Sequence, residues 1–341
     1  MKTIEIKPST ARMLVPELEH LFPNGAVSFT PASVRQARLS ALPYSSMPSE
    51  SQLQLPPVLV ARMAKGGVGK TTVIGNIGSA LAMMGHKVLL IDGDPQASLT
   101  VLMGVDWMKD DLVHIGTLMR RVQQRQDVNI KGALEQIYQD GYLDLIPADI
   151  TLADADSWMI GAVNREQLFV RLLFENIEFF SRYDCILVDT APATSLLTNA
   201  LMMATSEVVA VTLLDGLSVK AMQVLASNIG EFNAAFKDLN MGMHIVVNGW
   251  HGSYKSCHVA LQALSQFYPG QICETVLPYS AAFKRQVNPL EESESGTVVE
   301  KEPQSESAGA IAELARILAL RHGITLATEG TGVQNNLEKT A

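Results

Sequence analysis

The chain has 341 residues, 47% apolar and 18% charged, with 35 acidic against 26 basic side chains and a formal net charge of −9. That length allows one large α/β domain with extensions or two modest domains, and that composition excludes global disorder. Taken alone, the net charge argues against a nucleic-acid partner, which calls for a basic face. The charge is uneven, however. Residues 58–215 carry −7, residues 216–290 carry +2 and residues 291–306 carry −5.

Residues 1–57 hold eight prolines and a serine-rich patch. They read as an N-terminal arm and linker with short helices near 14–21 and 32–42. The second helix has Thr30 as its cap and Pro31 at its first position, and carries Arg35 and Arg38. A partial DNA-reading or dimer-forming element is the sharper alternative. From residue 58, strands and helices alternate. Strands are expected at 58–63, 87–91, 143–146, 185–188, 208–213 and 244–247. Helices are expected at 71–84 and 165–180, with a short one at 281–287 and a last one at 308–320. In that last helix Ile311, Leu314, Ile317 and Leu318 form a core-facing stripe. Near-continuous apolar strands separated by helices imply a parallel sheet covered on both faces.

Three scattered cysteines, Cys185, Cys257 and Cys273, form no Cys-x-x-Cys and indicate neither a disulfide framework nor a metal cluster. No apolar leader and no run near 18 apolar residues is visible, so a cytoplasmic protein without a membrane span is expected.

The strongest motif is Lys65-Gly66-Gly67-Val68-Gly69-Lys70-Thr71-Thr72, between the first strand and the helix at 71–84. Glycines let backbone N–H groups curl around phosphate oxygens, and the helix N-terminus adds a positive dipole end. Lys70 would reach the β- and γ-phosphates, Thr71 would ligate Mg²⁺ and Thr72 would touch the α-phosphate. Lys65 opens the loop on the far side of the nucleotide, so it is aimed at a phosphate bound by a partner subunit. The expected fold is therefore α/β: a three-layer P-loop NTPase with a mostly parallel twisted sheet flanked by helices. It occupies 58–322, after the short N-terminal extension and before a flexible polar tail at 323–341.

The sequence KGGVGKTT resembles the deviant Walker A motif of the ParA/MinD superfamily. Two further stretches are similar to that family in order and spacing: Asp92-Gly93-Asp94-Pro95-Gln96 after one strand, and Asp189-Thr190-Ala191-Pro192 after another. The resemblance implies that Asp94 positions or activates the attacking water with help from Mg²⁺, and that Asp94 belongs to the metal site with Thr71 and with Asp189, which contacts Mg²⁺ through water. Asp92 either orients the metal shell or ends its strand. The resemblance further implies that Asn248 reads the adenine edge, although a strand-ending turn before Gly249 would also use an asparagine. Pro278 would flank the base.

The expectation is a ParA-type ATPase acting in plasmid or chromosome partition, with ATP and Mg²⁺ as cofactors. It would pair into an ATP-sandwich homodimer, bind double-stranded DNA nonspecifically, and hydrolyse ATP slowly until a ParB-like partner stimulates it. Its location would be cytoplasmic and nucleoid-associated, without a membrane. DNA-contact candidates are Lys255, Lys284 and Arg285, with Lys220 and Lys237 as further basic residues. Residues 291–306 would form an acidic solvated loop near that face. Two alternatives keep the same active site: positioning of another cellular cargo, and ATP-switched repression of its own operon through residues 1–57.

Overall fold

The computed structural model describes residues 1–25, 27–41, 53–108, 112–237, 239–286 and 295–326, with the side chain of Lys284 outside that set. The described strands are β1 (Val58–Ala61), β2 (Val88–Gly93), β3 (Glu135–Tyr138), β4 (Leu143–Ile146), β5 (Cys185–Thr190), β6 (Glu207–Thr212) and β7 (Gly242–Val247). They form one sheet in the order β3-β4-β2-β5-β1-β6-β7. All neighbours are parallel except β3 and β4. Strands β1, β2 and β5 are buried along their whole length, which is why their sequences are continuous apolar runs rather than alternating ones. Since β1 lies between β5 and β6, the chain order reverses beside it, and a crevice opens at the carboxyl ends of these strands. The register pairs Asp92 with Asp189 at that edge.

Six strands lie where the apolar runs place them. β3 was not expected: Glu-Gln-Ile-Tyr is short and mixed in polarity, and it is stabilised by pairing with β4 and by a bridge from Lys2 to Tyr138. The single helix expected at 165–180 is broken into a 3-10 turn (Arg165–Gln167) and helices Leu168–Glu175 and Ile177–Phe180. The second break falls at Asn176, which leaves helical geometry and donates its Nδ2 to the Leu172 carbonyl at 3.0 Å. Asparagine competes with the backbone in this way. The last helix, Glu306–Arg321, buries Ile311, Leu314 and Leu318 as its stripe predicts.

The N-terminal extension is not detached from this core. The helix expected at 14–21 is instead the α-helix Pro8–Leu14 and the 3-10 turn Pro16–Leu21. They are separated at Val15, because a residue before proline is pushed out of the helical region. Ile6, Leu14, Phe22 and Val34 are buried in the same apolar cluster as the sheet. Helix Pro31–Ala41 starts at Pro31, with the Thr30 hydroxyl accepting from Ser33 N–H. Its Arg35, 5% exposed, donates to Asp184 at 2.6 Å and to the Gly85 carbonyl at 2.8 Å. Arg38 donates to the Met84 carbonyl at 2.9 Å. Both arginines are thus engaged with the domain, at the end of β2 and β5 opposite the crevice.

The acidic segment departs from the solvated loop expected of it. Residues 291–294 lie outside the described residues. Beyond them, helix Val298–Lys301 carries a Thr297/Glu300 capping box, and Glu300 accepts from the Tyr138 hydroxyl at 2.8 Å. These donors hold Glu300 against the body of the protein. At the other end, Ile324 and Leu326 are buried, so the expected tail does not begin at residue 323; residues 327–341 lie outside the described residues. Among the described residues no helix is long and apolar enough to cross a membrane.

Candidate nucleotide site

The loop from β1 to helix Lys70–Met83 turns with φ of +72° at Gly67 and +93° at Gly69. Only glycine adopts these values without strain. A Cβ on Gly69 would collide with Asn248 Nδ2, so a side chain there would displace the Asn248 amide as well as strain the turn. Lys70 is the first residue of the helix and is 7% exposed. Burial pulls its pKa down, with Asp189 and Asp94 opposing.

Three carboxylates meet at the ends of β2 and β5. The Thr71 hydroxyl donates to Asp189 Oδ2 at 2.5 Å. Asp189 is fully buried, and its Oδ1 has no hydrogen-bond partner. Burial, then neighbouring Asp92, pushes its pKa up to about 7. Asp92 accepts at Oδ2 from the Thr100 N–H (2.9 Å) and hydroxyl (2.8 Å), and at Oδ1 from the Asp94 N–H (3.1 Å). Burial raises it to about 6. Asp92 is therefore the clip that folds the chain after β2. That clip leaves Asp94 half-buried at the mouth of the crevice, where it accepts from Gln96 N–H at 2.9 Å.

The orphaned Asp189 oxygen beside a hydroxyl is a donor set that suits Mg²⁺. Among the described residues no group of three or more His, Cys, Asp or Glu could hold a metal on its own. The fit is thus to an ion that completes its shell with phosphate oxygens and water, the usual habit of Mg²⁺.

Lys65 does not project freely. Its Nζ donates to both Asp215 oxygens (3.0 and 2.8 Å) and to the Ser218 hydroxyl at 3.0 Å. Asp215 caps helix Gly216–Ala235 by accepting from Ser218 N–H at 2.7 Å. Sequence reasoning missed Asp215 and Ser218, although an Asp shortly after a strand and just before a helical stretch is a helix-start signal. It also missed Arg62, which no sequence pattern marks.

Asn248 donates its Nδ2 to the Val68 carbonyl at 2.8 Å and accepts from Gly249 N–H at 2.9 Å, which places it against the phosphate loop. Pro278 is brought alongside by a bridge with Trp250. His251 stacks on Tyr254, with centroids 4.2 Å apart, and lies 4.9 Å from Tyr279. This joins the start of helix Lys255–Phe267 to that of helix Ala281–Arg285. Lys255 and Arg285 thus sit on neighbouring elements, but Arg285 is paired with Glu302 at 2.6 Å. Lys220 lies in the first turns of helix Gly216–Ala235, whereas Lys237 lies beyond its far end, past the extended Phe236, so the two are separated by most of the helix and form no common patch.

The sheet order, the glycine loop opening a helix, and the acidic strand ends together define a P-loop NTPase fold. A family model for an AAA domain matches residues 58–243. The chain belongs to that family and, by its motifs and relatives, to the ParA/MinD superfamily. It spans about half the length of the first curated relatives it matches. The chromosome partitioning protein ParA of Caulobacter vibrioides is 34% identical over 151 residues, 44% of this chain and 54% of that protein. The cell division protein PomZ of Myxococcus xanthus is 26% identical over 247 residues, 72% of this chain and 73% of PomZ. Among solved structures, cobyrinic acid a,c-diamide synthase from Mycobacterium smegmatis, with an ATP analogue and magnesium bound, shares the fold. Its TM-score is 0.64 at 22% identity, over 81% of this chain and 100% of that one.

Proposed function

We propose that this chain is a ParA-type partition ATPase that binds ATP with Mg²⁺ at the glycine loop and pairs into a nucleotide-sandwich dimer. The dimer would hold DNA nonspecifically and hydrolyse ATP slowly until a ParB-like partner speeds it. The observation that carries the reading is the state of Lys65. In the single chain its Nζ is held by Asp215 and Ser218, at the start of helix Gly216–Ala235. A partly exposed ion pair is worth about 0–1 kcal/mol, so a partner's phosphate can outcompete it. Release of Lys65 then couples nucleotide binding to dimerisation.

Within each site Lys70 offsets phosphate charge, and the dipole end of its helix adds to it. Thr71 and Asp189 would hold the ion, which would supply neutralisation of phosphate charge. Asp94, at the crevice mouth, orients the water. Phosphoryl transfer asks little more than such positioning. Lys255 and Arg285 are the basic residues best placed to share one DNA-facing surface.

The reading is tested by filter retention of DNA with ATP, ADP or no nucleotide. Retention with ATP alone, lost in Lys65→Ala and Lys70→Ala, is expected. Equal retention in all three conditions contradicts it. The broader coverage of PomZ favours a second reading, in which the same cycle positions a cell-division or other cargo. Deletion of the gene separates the two: plasmid or chromosome loss follows from the first, a misplaced division site or cargo from the second. The operon-repressor alternative is weakened by the engagement of Arg35 and Arg38 in the fold.

A further inference from the structure

Arg62, the residue after β1, is 1% exposed and among the largest fully buried side chains. Its acceptors are all uncharged: the carbonyls of Met63 (3.0 Å), Ala191 (3.3 Å) and Pro192 (2.7 Å), and the Thr194 hydroxyl (3.1 Å). Burial alone lowers its pKa, to about 10, so the guanidinium is charged at neutral pH. Burying a cation without a carboxylate is costly, and an apolar residue of similar size would fill the space at less expense. Three of the four contacts go to the loop that follows Asp189. That loop abuts the phosphate loop: Pro192 Cγ lies 3.9 Å from the place a Cβ on Gly66 would take.

The contacts also orient the loop backbone. In a trans peptide the N–H points opposite to the preceding carbonyl. The Pro192 carbonyl points at Arg62, so the Ala193 N–H points away from it. Proline itself has no N–H to offer, so after Ala191 the next backbone donor of this loop is Ala193. Ala193 is exposed.

We propose that Arg62 is a positioning residue that pins the 191–194 loop so that the Ala193 N–H meets an oxyanion, the terminal phosphate of a nucleoside triphosphate in the adjacent glycine loop. This rests on the reading of that loop as an ATP site. The loop then distinguishes triphosphate from diphosphate, because ADP leaves the donor unmet. Arg62 touches no substrate and acts through the backbone it holds.

The test is hydrogen–deuterium exchange across residues 191–195 of the full chain, with no nucleotide, ADP, or a non-hydrolysable ATP analogue, each with Mg²⁺. Affinities for both nucleotides are titrated alongside in wild type, Arg62→Lys and Arg62→Met. In wild type the analogue slows exchange at residues 193 and 194, and ADP does not. Arg62→Lys keeps the charge but cannot span the four acceptors. It loses this protection and binds the analogue about tenfold more weakly, the scale of one charge-assisted hydrogen bond, while ADP affinity stays within about twofold. Equal exchange with ADP and analogue in wild type overturns the proposal without needing any variant to fold. So does a folded Arg62→Lys that keeps the wild-type preference, or one that weakens both nucleotides alike. A wild-type chain that binds neither nucleotide overturns the ATP reading itself, and this inference with it.

Discussion

At Gly69 the phosphate loop has no room for even a methyl group, since φ is +93° and Asn248 stands where a Cβ would go. Gly69→Ala should therefore push Asn248 off the Val68 carbonyl and strain the turn by about 1 kcal/mol or more. Titration calorimetry should show nucleotide affinity falling by at least about tenfold, given the lost backbone donors, with the sheet's circular dichroism unchanged. Lys65→Ala should behave differently. Its ion pair is partly exposed, so unfolding free energy should change by about 1 kcal/mol or less while ATP-dependent association disappears. A third residue reports on pH. His244 on β7 is 3% exposed, and burial, then Arg321, holds its pKa down at about 4, with Glu207 opposing and His322 adding to the shift. Above pH ~6.5 neither folded nor unfolded chain protonates this ring, so it has no effect there. As pH falls from ~6.5 toward 4, only the unfolded chain takes up the proton, and stability is lost. Urea denaturation should show a decline of about 2 kcal/mol from this group over that window, removed in His244→Gln. The lowered pKa values of His86 and His322 act in the same direction.

Among the elements, the N-terminal helix Pro31–Ala41 has the largest consequence for stability. Its Arg35 and the buried Asp184 form a 2.6 Å pair, with side chains 6% and 0% exposed. Arg35→Met takes the cation from a buried carboxylate that still faces the Lys87 N–H and His86, and should cost about 3–5 kcal/mol in chemical denaturation. A second change, Asp184→Leu, should recover part of that loss. A removable DNA-reading arm would leave the ATPase intact on deletion. Deleting residues 1–41 should instead yield insoluble protein, because it uncovers the core and the β3 edge. The same element marks the limit of what is legible in the sequence. Strands and the glycine loop were legible because burial on both faces writes continuous apolar runs, and phosphate chemistry fixes residue spacing. The carboxylates of Asp94 and Asp189 follow those strands directly and were legible with them. Tertiary partners were not: Arg35 reads as a surface arginine until Asp184 faces it, and Arg62 looks like a strand terminus until the 191–194 loop folds over it. β3 is equally silent, since its stability comes from β4 and Lys2 rather than from its own four residues.

For the whole molecule, the net charge of −9 no longer stands as a simple objection to DNA. Part of the acidity serves the crevice, through Asp92, Asp94 and Asp189, and part of the acidic segment is engaged within the chain, Glu300 by Tyr138 and, at the surface, Glu302 by Arg285. The Arg285–Glu302 pair also means that one candidate DNA contact is neutralised in the single chain. Glu302→Gln should release it and raise ATP-dependent DNA retention at low salt, with the gain fading as salt rises. The proposed cycle turns on ATP bringing together two chains in which Lys65 is latched to Asp215. One measurement reads this step: sedimentation equilibrium with Mg²⁺ and ATP, ADP or no nucleotide. A dimer with ATP alone, and a monomer for Lys65→Ala in every condition, is the expected result. A nucleotide-independent mass, or a Lys65→Ala chain that dimerises as wild type does, rules the cycle out.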